Sequence, residues 1–320
     1  MKIALVTPAR AGARSGNRHT ALRWAAFLRA AGHRVTVAQG WRADAPTDMM
    51  LALHARRSHA SIRAFHSAHP SRPLVLALTG TDIYRDVRSS PEARASLEMA
   101  SRFIVLQPEA LRELPQRLRA RAGVVVQSSA TRLRHAPVRR GFRVCVIGHL
   151  REEKDPLRAF AALPYLPQHL GIELLQLGEA LDPGLARTAR SATRAEPRYR
   201  WLGGLQHARA LRWLASSHAM VISSTMEGGA NVVSEAIRIG VPVIASRIPG
   251  NVGLLGADYP AYYRTGNERA LASLIRRAAT DRRFYGGLKA RIAHLRSMVA
   301  PESEARMLLR ALFRGDRGSV

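Results

Sequence analysis

The chain has 320 residues, more than one hydrophobic core usually holds, so two domains of about 150 residues each are expected. An apolar fraction of 47% argues against disorder, and no apolar run reaches the roughly 18 residues of a membrane span. The single cysteine, Cys145, excludes an internal disulfide and a cysteine-based zinc site. This composition favours a reducing, cytoplasmic location, and the short apolar start predicts a first strand rather than a signal peptide.

The formal net charge of +27 is the most unusual property of the composition. Such a charge suits a nucleic-acid partner, an anionic membrane surface or an anionic small substrate. The arginines are spread along the whole chain, however, and aromatic residues make up only 6% of it. Nucleic-acid-binding surfaces usually concentrate basic and aromatic side chains on one face. No nucleic-acid partner is therefore expected, and a basic nucleic-acid-binding protein is kept as the alternative of another class.

The first half of the chain alternates short apolar runs with amphipathic stretches. The runs carry little polar alternation, which is typical of parallel strands covered on both faces. Strands separated by helices indicate right-handed βαβ units. Helices are predicted at His19–Ala31 and Pro91–Ala100, and strands at Ile3–Thr7, Val35–Ala38, Met49–His54, Leu74–Leu78, Phe103–Leu106 and Val124–Gln127.

A polar, basic segment at Arg134–Arg143 interrupts this pattern and contains a proline and a glycine, as interdomain linkers often do. A second series of strands follows, at Val144–Ile147, Glu173–Leu177, Tyr199–Leu202, Met220–Ser223 and Val243–Ala245, and a last helix at Glu302–Phe313. The predicted fold class is α/β, with two Rossmann-like domains facing each other across a cleft. The predicted domains are residues 1–138, with the C-terminal helix 302–314 packing back onto them, and residues 139–300.

The loop Gly148–Pro156 follows a predicted strand and precedes a helix. Ligands of open α/β sheets bind beyond the carboxyl ends of the strands, so this loop lies where a site is expected. Lys154 can place a positive charge on a phosphate there. The alternative is a solvated loop in which acidic and basic side chains neutralise one another.

A second strand-to-helix turn, Ser223–Ala236, carries a stronger pattern. Its two glycines, Gly228 and Gly229, allow a ligand to approach the backbone, and the free N–H groups of the following helix favour an anion. Glu235 lies about one turn into that helix, where a carboxylate can accept hydrogen bonds from ribose hydroxyls. Glu227 lies on the loop and can meet a sugar. The alternative is a tight turn followed by a surface helix residue.

The segment from Glu227 to Glu235 resembles the E-x7-E motif of retaining glycosyltransferases with the GT-B fold. As in that family, Gly240–Ser246 and Ile248–Asn251 follow it, and Gly148–Lys154 resembles the family's donor-phosphate loop. The resemblance spans most of the chain, and its specific part is in the C-terminal half.

This resemblance implies a UDP-sugar donor bound by the C-terminal domain, with Glu227 and Lys154 as the catalytic residues. Lys154 would hold the diphosphate, Glu235 the ribose, and Glu227 with the following backbone the transferred sugar. Many family members have arginine where this chain has His149, and Arg151 is the candidate to compensate. The implied donor-binding set is Gly148, His149, Arg151, Lys154, Glu227, Gly228, Gly229, Ala230, Asn231 and Glu235.

The family implies that the N-terminal half binds the acceptor. A basic, glycine-bearing loop leads from the first strand into the first helix, and Leu78–Tyr84 follows another strand. The second segment resembles a His-Gly-Thr-Asp-like segment of the family, with threonine in place of histidine. A plain turn is the alternative for the first loop, and a helix N-cap is the alternative for the aspartate of the second. The candidate acceptor-binding residues are Arg14, Gly16, Asn17, Arg18, Thr79 and Asp82.

The order of these segments most resembles the bacterial selenosugar synthases of selenoneine biosynthesis. That resemblance implies transfer of a hexosamine from a UDP-N-acetylglucosamine-type donor to selenophosphate. No cofactor is expected, and no metal site, because no Asp-x-Asp motif is present at the donor loops. The alternative within the class is a transferase acting on a lipid, polysaccharide or other small acceptor, but the basic stretch His54–His69 has only Phe65 as an anchoring aromatic residue.

Overall fold

The structure is a computed structural model that describes residues 1–10, 12 and 15–313. The chain forms two compact units. Unit 1 contains Met1–Gln127 and the segment that begins at Pro301, and unit 2 contains Ser128–Ala300. Among the described residues, no helix combines the length and apolarity that crossing a bilayer requires.

Unit 1 is built on a six-stranded parallel sheet in which the strands take the order β2-β1-β3-β4-β5-β6. Apolar runs with buried residues on both faces form its central strands, as the sequence predicts. The last strand begins two residues earlier than predicted, because pairing with β5 starts at Ala122. The strands are β1 (Lys2–Val6), β2 (Arg34–Ala38), β3 (Met49–Leu53), β4 (Leu74–Leu78), β5 (Arg102–Val105) and β6 (Ala122–Val124).

Helices cover both faces of this sheet. The first helix begins three residues earlier than predicted, because the Ser15 hydroxyl accepts a hydrogen bond from the backbone N–H of Arg18 at 3.4 Å and caps the helix. Trp24 and Leu28 of this helix are fully buried against one face, and Phe65 is buried against the other. The helices are α1 (Gly16–Ala30), α2 (His59–Ala68), α3 (Val87–Ser89), α4 (Pro91–Met99) and α5 (Gln116–Arg119), with a π-helix at Asp82–Asp86 and a 3-10 helix at Pro108–Glu113.

Unit 2 has its own six-stranded parallel sheet, in the order β12-β11-β10-β7-β8-β9. The chain order reverses between β7 and β10, and such a reversal opens a crevice at the carboxyl ends of the strands. The strands are β7 (Phe142–Ile147), β8 (Ile172–Leu177), β9 (Tyr199–Trp201), β10 (Ala219–Ile222), β11 (Val243–Ser246) and β12 (Tyr262–Tyr263).

The helices of unit 2 follow the βαβ pattern. Asp182, Asn267 and Asp281 each cap a helix through a side-chain oxygen that accepts a backbone N–H. The helices are α6 (Arg158–Ala162), α7 (Pro183–Ala195), α8 (His207–Ala215), α9 (Asn231–Ile239), α10 (Pro249–Leu255), α11 (Glu268–Thr280) and α12 (Arg282–His294). Short 3-10 segments lie at Glu152–Lys154, Leu163–Tyr165 and Gln168–Leu170.

The boundary between the units lies after Gln127 rather than at residue 138, where the sequence placed it. Residues 128–138 form no helix or strand, but their backbone is hydrogen-bonded to other parts of unit 2. His135 N–H donates to the Ile239 carbonyl at 3.1 Å, and Ala136 N–H donates to the Ala215 carbonyl at 2.9 Å. Polar composition marks the linker, whereas these hydrogen bonds decide the unit to which it belongs.

The last helix, α13 (Pro301–Phe313), belongs to unit 1. Glu304 is fully buried and accepts Arg23 Nε at 2.7 Å and Trp24 Nε1 at 2.7 Å from α1. Two turns further along the helix, Ala311 packs so closely on Gly123 of β6 that a Cβ on the glycine would lie 2.9 Å from the alanine Cβ. The helix is therefore an integral part of the first unit, although it is distant in the chain.

Candidate functional site

The turn after β10 in unit 2 leads into a helix whose N-cap residue makes no side-chain hydrogen bond to it. Helix α9 begins at Asn231, and its N-cap residue Ala230 has no side-chain oxygen to accept the first N–H groups. Uncapped N–H groups and the positive end of the helix dipole favour a bound anion. The sequence-predicted residues Gly228, Gly229, Ala230 and Asn231 all lie at this turn.

Lys154 and Glu227 meet at this turn. Lys154 Nζ forms an ion pair with Glu227 Oε1, and the Ser224 hydroxyl donates to the same oxygen at 2.6 Å. The Glu227 side chain is 9% exposed and that of Lys154 is 21% exposed. The structure thus brings together the two residues that the sequence predicts to be catalytic. It also leaves part of the Lys154 side chain open to solvent.

Hydrogen bonds to the backbone hold the two loops together. The Ser223 hydroxyl is within 3.0 Å of the Lys154 carbonyl and 2.8 Å of the Asp155 carbonyl, and donates to them. Thr225 N–H donates to the Glu153 carbonyl at 3.0 Å. Because these contacts involve the backbone on either side of Lys154, they fix where its side chain starts.

A series of buried hydrogen bonds supports the loop that carries Glu227. Asn251 is fully buried and donates through Nδ2 to the Ser246 carbonyl at 2.9 Å, and the Ser246 hydroxyl donates to the Ser224 carbonyl at 2.6 Å. Gly250 packs directly against this loop, since a Cβ at position 250 would lie 2.1 Å from the Glu227 carbonyl oxygen. Sequence reasoning noted Gly250 and Asn251 as part of the family pattern but gave them no place in the site. Their supporting role depends on contacts that sequence spacing does not reveal.

Glu235 lies on α9 one turn from its start and pairs with a histidine of α8. His207 Nε2 is 2.7 Å from Glu235 Oε1, and this hydrogen bond raises the pKa of His207 above its usual value. The Glu235 side chain is 15% exposed, whereas the imidazole is 58% exposed. His207 was not predicted from the sequence, since nothing in the pattern links α8 to α9.

The turn after β7 is tightly packed against the turn after β8. Gly148 N–H donates to the Leu177 carbonyl at 2.8 Å, and Glu179 N–H donates to His149 Nδ1 at 3.2 Å. A Cβ on Gly178 would lie 1.9 Å from the Gly148 carbonyl oxygen, so only glycine fits there. His149 therefore helps to join the two turns. Arg151 is the predicted substitute for the family arginine, and its Nη1 lies 3.6 Å from Glu153 Oε1.

In unit 1, the basic loop is described only in part, since Arg14 lies outside the described residues. Gly16, Asn17 and Arg18 form the first turn of α1, at the carboxyl edge of the sheet. This placement is compatible with an anion at the helix start, but the Arg18 N–H already bonds to the Ser15 hydroxyl.

Asp82 does not have the acceptor-binding position that the sequence predicts. It is fully buried, and its two carboxylate oxygens accept the N–H groups of Thr79 at 2.8 Å and Ala55 at 3.1 Å. A carboxylate held in this way shapes the turn after β4 and is not available to an acceptor. Thr79 Oγ1 is buried and has no hydrogen-bond partner among the described residues.

A residue that sequence reasoning missed contacts this turn. His54 directly follows β3, has a positive φ of 74°, which is rare outside glycine, and is 2% exposed. Its Nε2 lies 3.3 Å from the Thr81 hydroxyl. The sequence placed His54 at the end of a strand and at the start of a basic stretch, because no local pattern reveals a buried contact with the turn after the next strand.

A family model described as glycosyl transferases group 1 matches residues 132–293, about half of the chain. The chain belongs to this family. The matched range includes both loops of the Lys154–Glu227 pair and the helix that carries Glu235.

Solved structures similar to this chain share the glycosyltransferase fold over nearly its whole length. Anabaena Alr3699/HepE, solved in complex with UDP-glucose, is 17% identical with a TM-score of 0.78, over 98% of this chain and 99% of that chain. Sucrose-phosphate synthase (tll1590) from Thermosynechococcus elongatus is 16% identical with a TM-score of 0.74, over 98% and 100%. WaaG, a glycosyltransferase involved in lipopolysaccharide biosynthesis, is 14% identical with a TM-score of 0.72, over 98% and 100%. The two parallel-sheet units of this glycosyltransferase are therefore the Rossmann-like domains of the GT-B fold, as the sequence predicts.

Proposed function

We propose that this glycosyltransferase transfers a hexosamine from a UDP-N-acetylglucosamine-type donor to selenophosphate and thereby forms a selenosugar. The UDP-sugar donor in this proposal is supported by the Lys154–Glu227 pair, which lies beside the start of α9, where the N-cap residue makes no side-chain hydrogen bond. The acceptor half rests on the resemblance of the sequence to selenosugar synthases. It draws further support from the basic residue Arg18 and the N-terminal end of α1 in unit 1.

The ion pair suggests how the donor engages unit 2. A UDP-sugar diphosphate carries two negative charges and competes with Glu227 for the ammonium of Lys154. When Lys154 turns to the diphosphate, Glu227 is released to accept hydrogen bonds from the sugar hydroxyls. The first N–H groups of α9 add donors to the same phosphate oxygens. Preorganised donors at a departing diphosphate stabilise the charge that develops in the transition state.

In the proposed reaction, a carbon–selenium bond replaces the carbon–oxygen bond between the sugar and the diphosphate. Selenium of selenophosphate attacks the anomeric carbon, the C–Se bond forms, and the bond from that carbon to the diphosphate oxygen breaks, so UDP leaves. Charge of oxocarbenium type develops at the sugar carbon, as in other glycosyl chemistry. Water then hydrolyses the Se–P bond and releases phosphate and the selenosugar. No step requires a cofactor or an oxidant.

The direct test measures UDP release from UDP-N-acetylglucosamine and UDP-glucose, with and without selenophosphate, and identifies products by mass spectrometry. UDP-glucose is included because it is the ligand of the Anabaena protein. Selenophosphate-dependent release with a selenium-bearing sugar supports both halves of the proposal. Donor hydrolysis without a selenium product supports the donor half and directs the search to lipid or polysaccharide acceptors. Failure of every UDP-sugar to bind contradicts the donor half.

Addition of EDTA to the same assay tests the expectation that no divalent metal is needed. Lys154 and helix N–H groups supply the positive charge that a metal would otherwise bring to the diphosphate. Full activity after chelation is therefore expected. A loss that Mg²⁺ or Mn²⁺ restores would contradict this expectation.

A further inference from the structure

Unit 1 holds an unusual polar cluster where β3 and β4 end side by side. The two strands are hydrogen-bonded neighbours, and ligands of such sheets bind at this edge. His54 directly follows β3 and has a positive φ of 74°. Asp82–Asp86, just after β4, form a π-helix, a rare element that is frequent at functional sites. Strained backbone of this kind persists only where the surroundings hold it in place.

The surroundings of His54 do hold it in place. Its own N–H donates to the Ala77 carbonyl of β4 at 2.9 Å. The residue that follows, Ala55, donates its N–H to Asp82 at 3.1 Å, and Arg56 Nε is 2.9 Å from Asp86. The π-helix therefore anchors the chain immediately beyond the histidine.

The contacts of the ring determine which nitrogen carries the proton. The backbone N–H of Arg57 lies 3.4 Å from His54 Nδ1, and a backbone N–H can only donate. Nδ1 is therefore the acceptor. Burial lowers the pKa of His54, so the ring is neutral near pH 7 and its one proton is on Nε2.

This tautomer sets the direction of the hydrogen bond to Thr81. Nε2–H donates to Thr81 Oγ1 at 3.3 Å, and Asp86 Oδ2, at 3.8 Å, is beyond hydrogen-bond distance. The hydroxyl proton of Thr81 is then free to point away from the ring. Among the described residues, this hydroxyl has no other hydrogen-bond partner, and Thr81 is partly exposed while His54 is buried.

We propose that His54 is a positioning residue that makes the Thr81 hydroxyl a hydrogen-bond donor to an oxygen of the acceptor substrate. The proposal rests on the proposed function, in which unit 1 binds the acceptor, and it deepens that function. It requires an acceptor with a lone-pair oxygen, such as a phosphate or selenophosphate oxygen. The role passes through Thr81, since the histidine itself is buried.

A double-mutant cycle on the full chain tests this coupling. Thr81→Val removes the hydroxyl at nearly constant shape, and His54→Asn keeps a residue that tolerates positive φ but is too short to reach Thr81. Each change is expected to raise the KM for selenophosphate about three- to tenfold, as the loss of one hydrogen bond does, while the Kd for UDP stays unchanged. The double variant is expected to be no worse than the worse single variant, and Thr81→Ser is expected to restore the wild-type KM. Independent, multiplying effects of the two substitutions would overturn the proposal, as would failure of Thr81→Ser to restore the KM.

A spectroscopic measurement distinguishes failure of this proposal from failure of the proposed function. In protein labelled with ¹⁵N-histidine, His54 is expected to appear as the Nε2–H tautomer, and its Nε2 resonance is expected to shift in Thr81→Val. An Nδ1–H tautomer would overturn the positioning role whether or not selenophosphate is the acceptor. Absence of a selenium product from the wild-type protein would instead count against the proposed function, while the tautomer still decides the direction of the Thr81 hydroxyl.

Discussion

Lys154 and Glu227 are 73 positions apart in the chain and form an ion pair at the carboxyl edge of the unit 2 sheet. The residue types and their place after strands were predictable from the sequence, because a phosphate needs a cation and a sugar needs hydrogen-bond acceptors. Their direct contact was not, since it depends on the Ser223 bonds that hold the two loops together. We therefore expect the pair to respond as one unit to substitution.

Lys154→Ala is expected to lower kcat/KM for the UDP-sugar by about 10²- to 10³-fold, since in the proposed mechanism the Lys154 ammonium neutralises the leaving diphosphate. Initial rates of UDP release at varied donor concentration measure the effect. Lys289→Ala is the matched control, because Lys289 is exposed on α12 and carries the same charge. Equal losses in the two variants would show that overall charge, rather than the position of Lys154, controls turnover.

His207 provides a second prediction at this scale, concerning pH. The hydrogen bond to Glu235 raises the pKa of His207, so the contact stabilises the folded protein below the ordinary histidine pKa, and that contribution is lost as pH rises through the raised value. If a ribose hydroxyl of the UDP-sugar replaces His207 as the hydrogen-bond partner of Glu235, binding of the UDP-sugar lowers the pKa of His207 and releases a proton. Affinity for UDP-glucose is then expected to weaken as pH falls from about 8 to about 6.

Isothermal titration calorimetry across this pH range measures the affinity. His207→Gln keeps a hydrogen-bond donor but cannot titrate, so its affinity is expected to vary less with pH than that of the wild type. An unchanged slope in this variant would contradict the link between His207 and donor binding.

Among the elements, α13 shows most clearly how distant segments combine. Its amphipathic pattern predicts a helix, and the sequence analysis expected that helix to pack against the first domain. Only the structure identifies the contact, in which the buried Glu304 accepts hydrogen bonds from Arg23 and Trp24 of α1. The carboxylate is therefore a structural ion-pair partner and not a surface charge.

Glu304→Ala is expected to destabilise unit 1 by about 3 kcal/mol, because it leaves a buried indole N–H and a guanidinium without their acceptor. Urea unfolding followed by tryptophan fluorescence measures the change, since Trp24 and Trp41 both lie in unit 1. Glu302→Ala, an exposed position on the same helix, is expected to change stability by less than about 0.5 kcal/mol. Similar effects of the two substitutions would contradict the role of the buried contact.

At the scale of the whole molecule, the two sheets have separate cores and separate strand orders. Unit 2 is continuous in the chain, whereas unit 1 needs the segment that begins at Pro301. The predicted boundary at residue 138 was too late, because the backbone of residues 128–138 is bonded to unit 2. We therefore expect the fragment that folds alone to begin at residue 128 rather than at residue 139.

The fragment 128–300 is expected to unfold cooperatively and to bind UDP with a Kd within about threefold of the full chain, since every residue of the proposed donor site lies in unit 2. It is expected to show no transfer to selenophosphate. Calorimetry and UDP titration measure the two properties. A folded fragment without UDP affinity would contradict the placement of the donor site, and a fragment beginning at residue 139 serves as the comparison for the boundary.

The sequence by itself determined the fold class, most strand positions and the residue types of the proposed donor site, because apolar periodicity and glycine-bearing turns after strands are local patterns. It also led to the family through Glu227 and Glu235. Tertiary structure decided the pairing of Lys154 with Glu227, the support from Gly250, the buried role of Asp82 and the cluster around His54. These features depend on contacts between residues that are far apart in the chain. Whether a carboxylate or an imidazole is buried decides its role, and residue type alone does not reveal that burial.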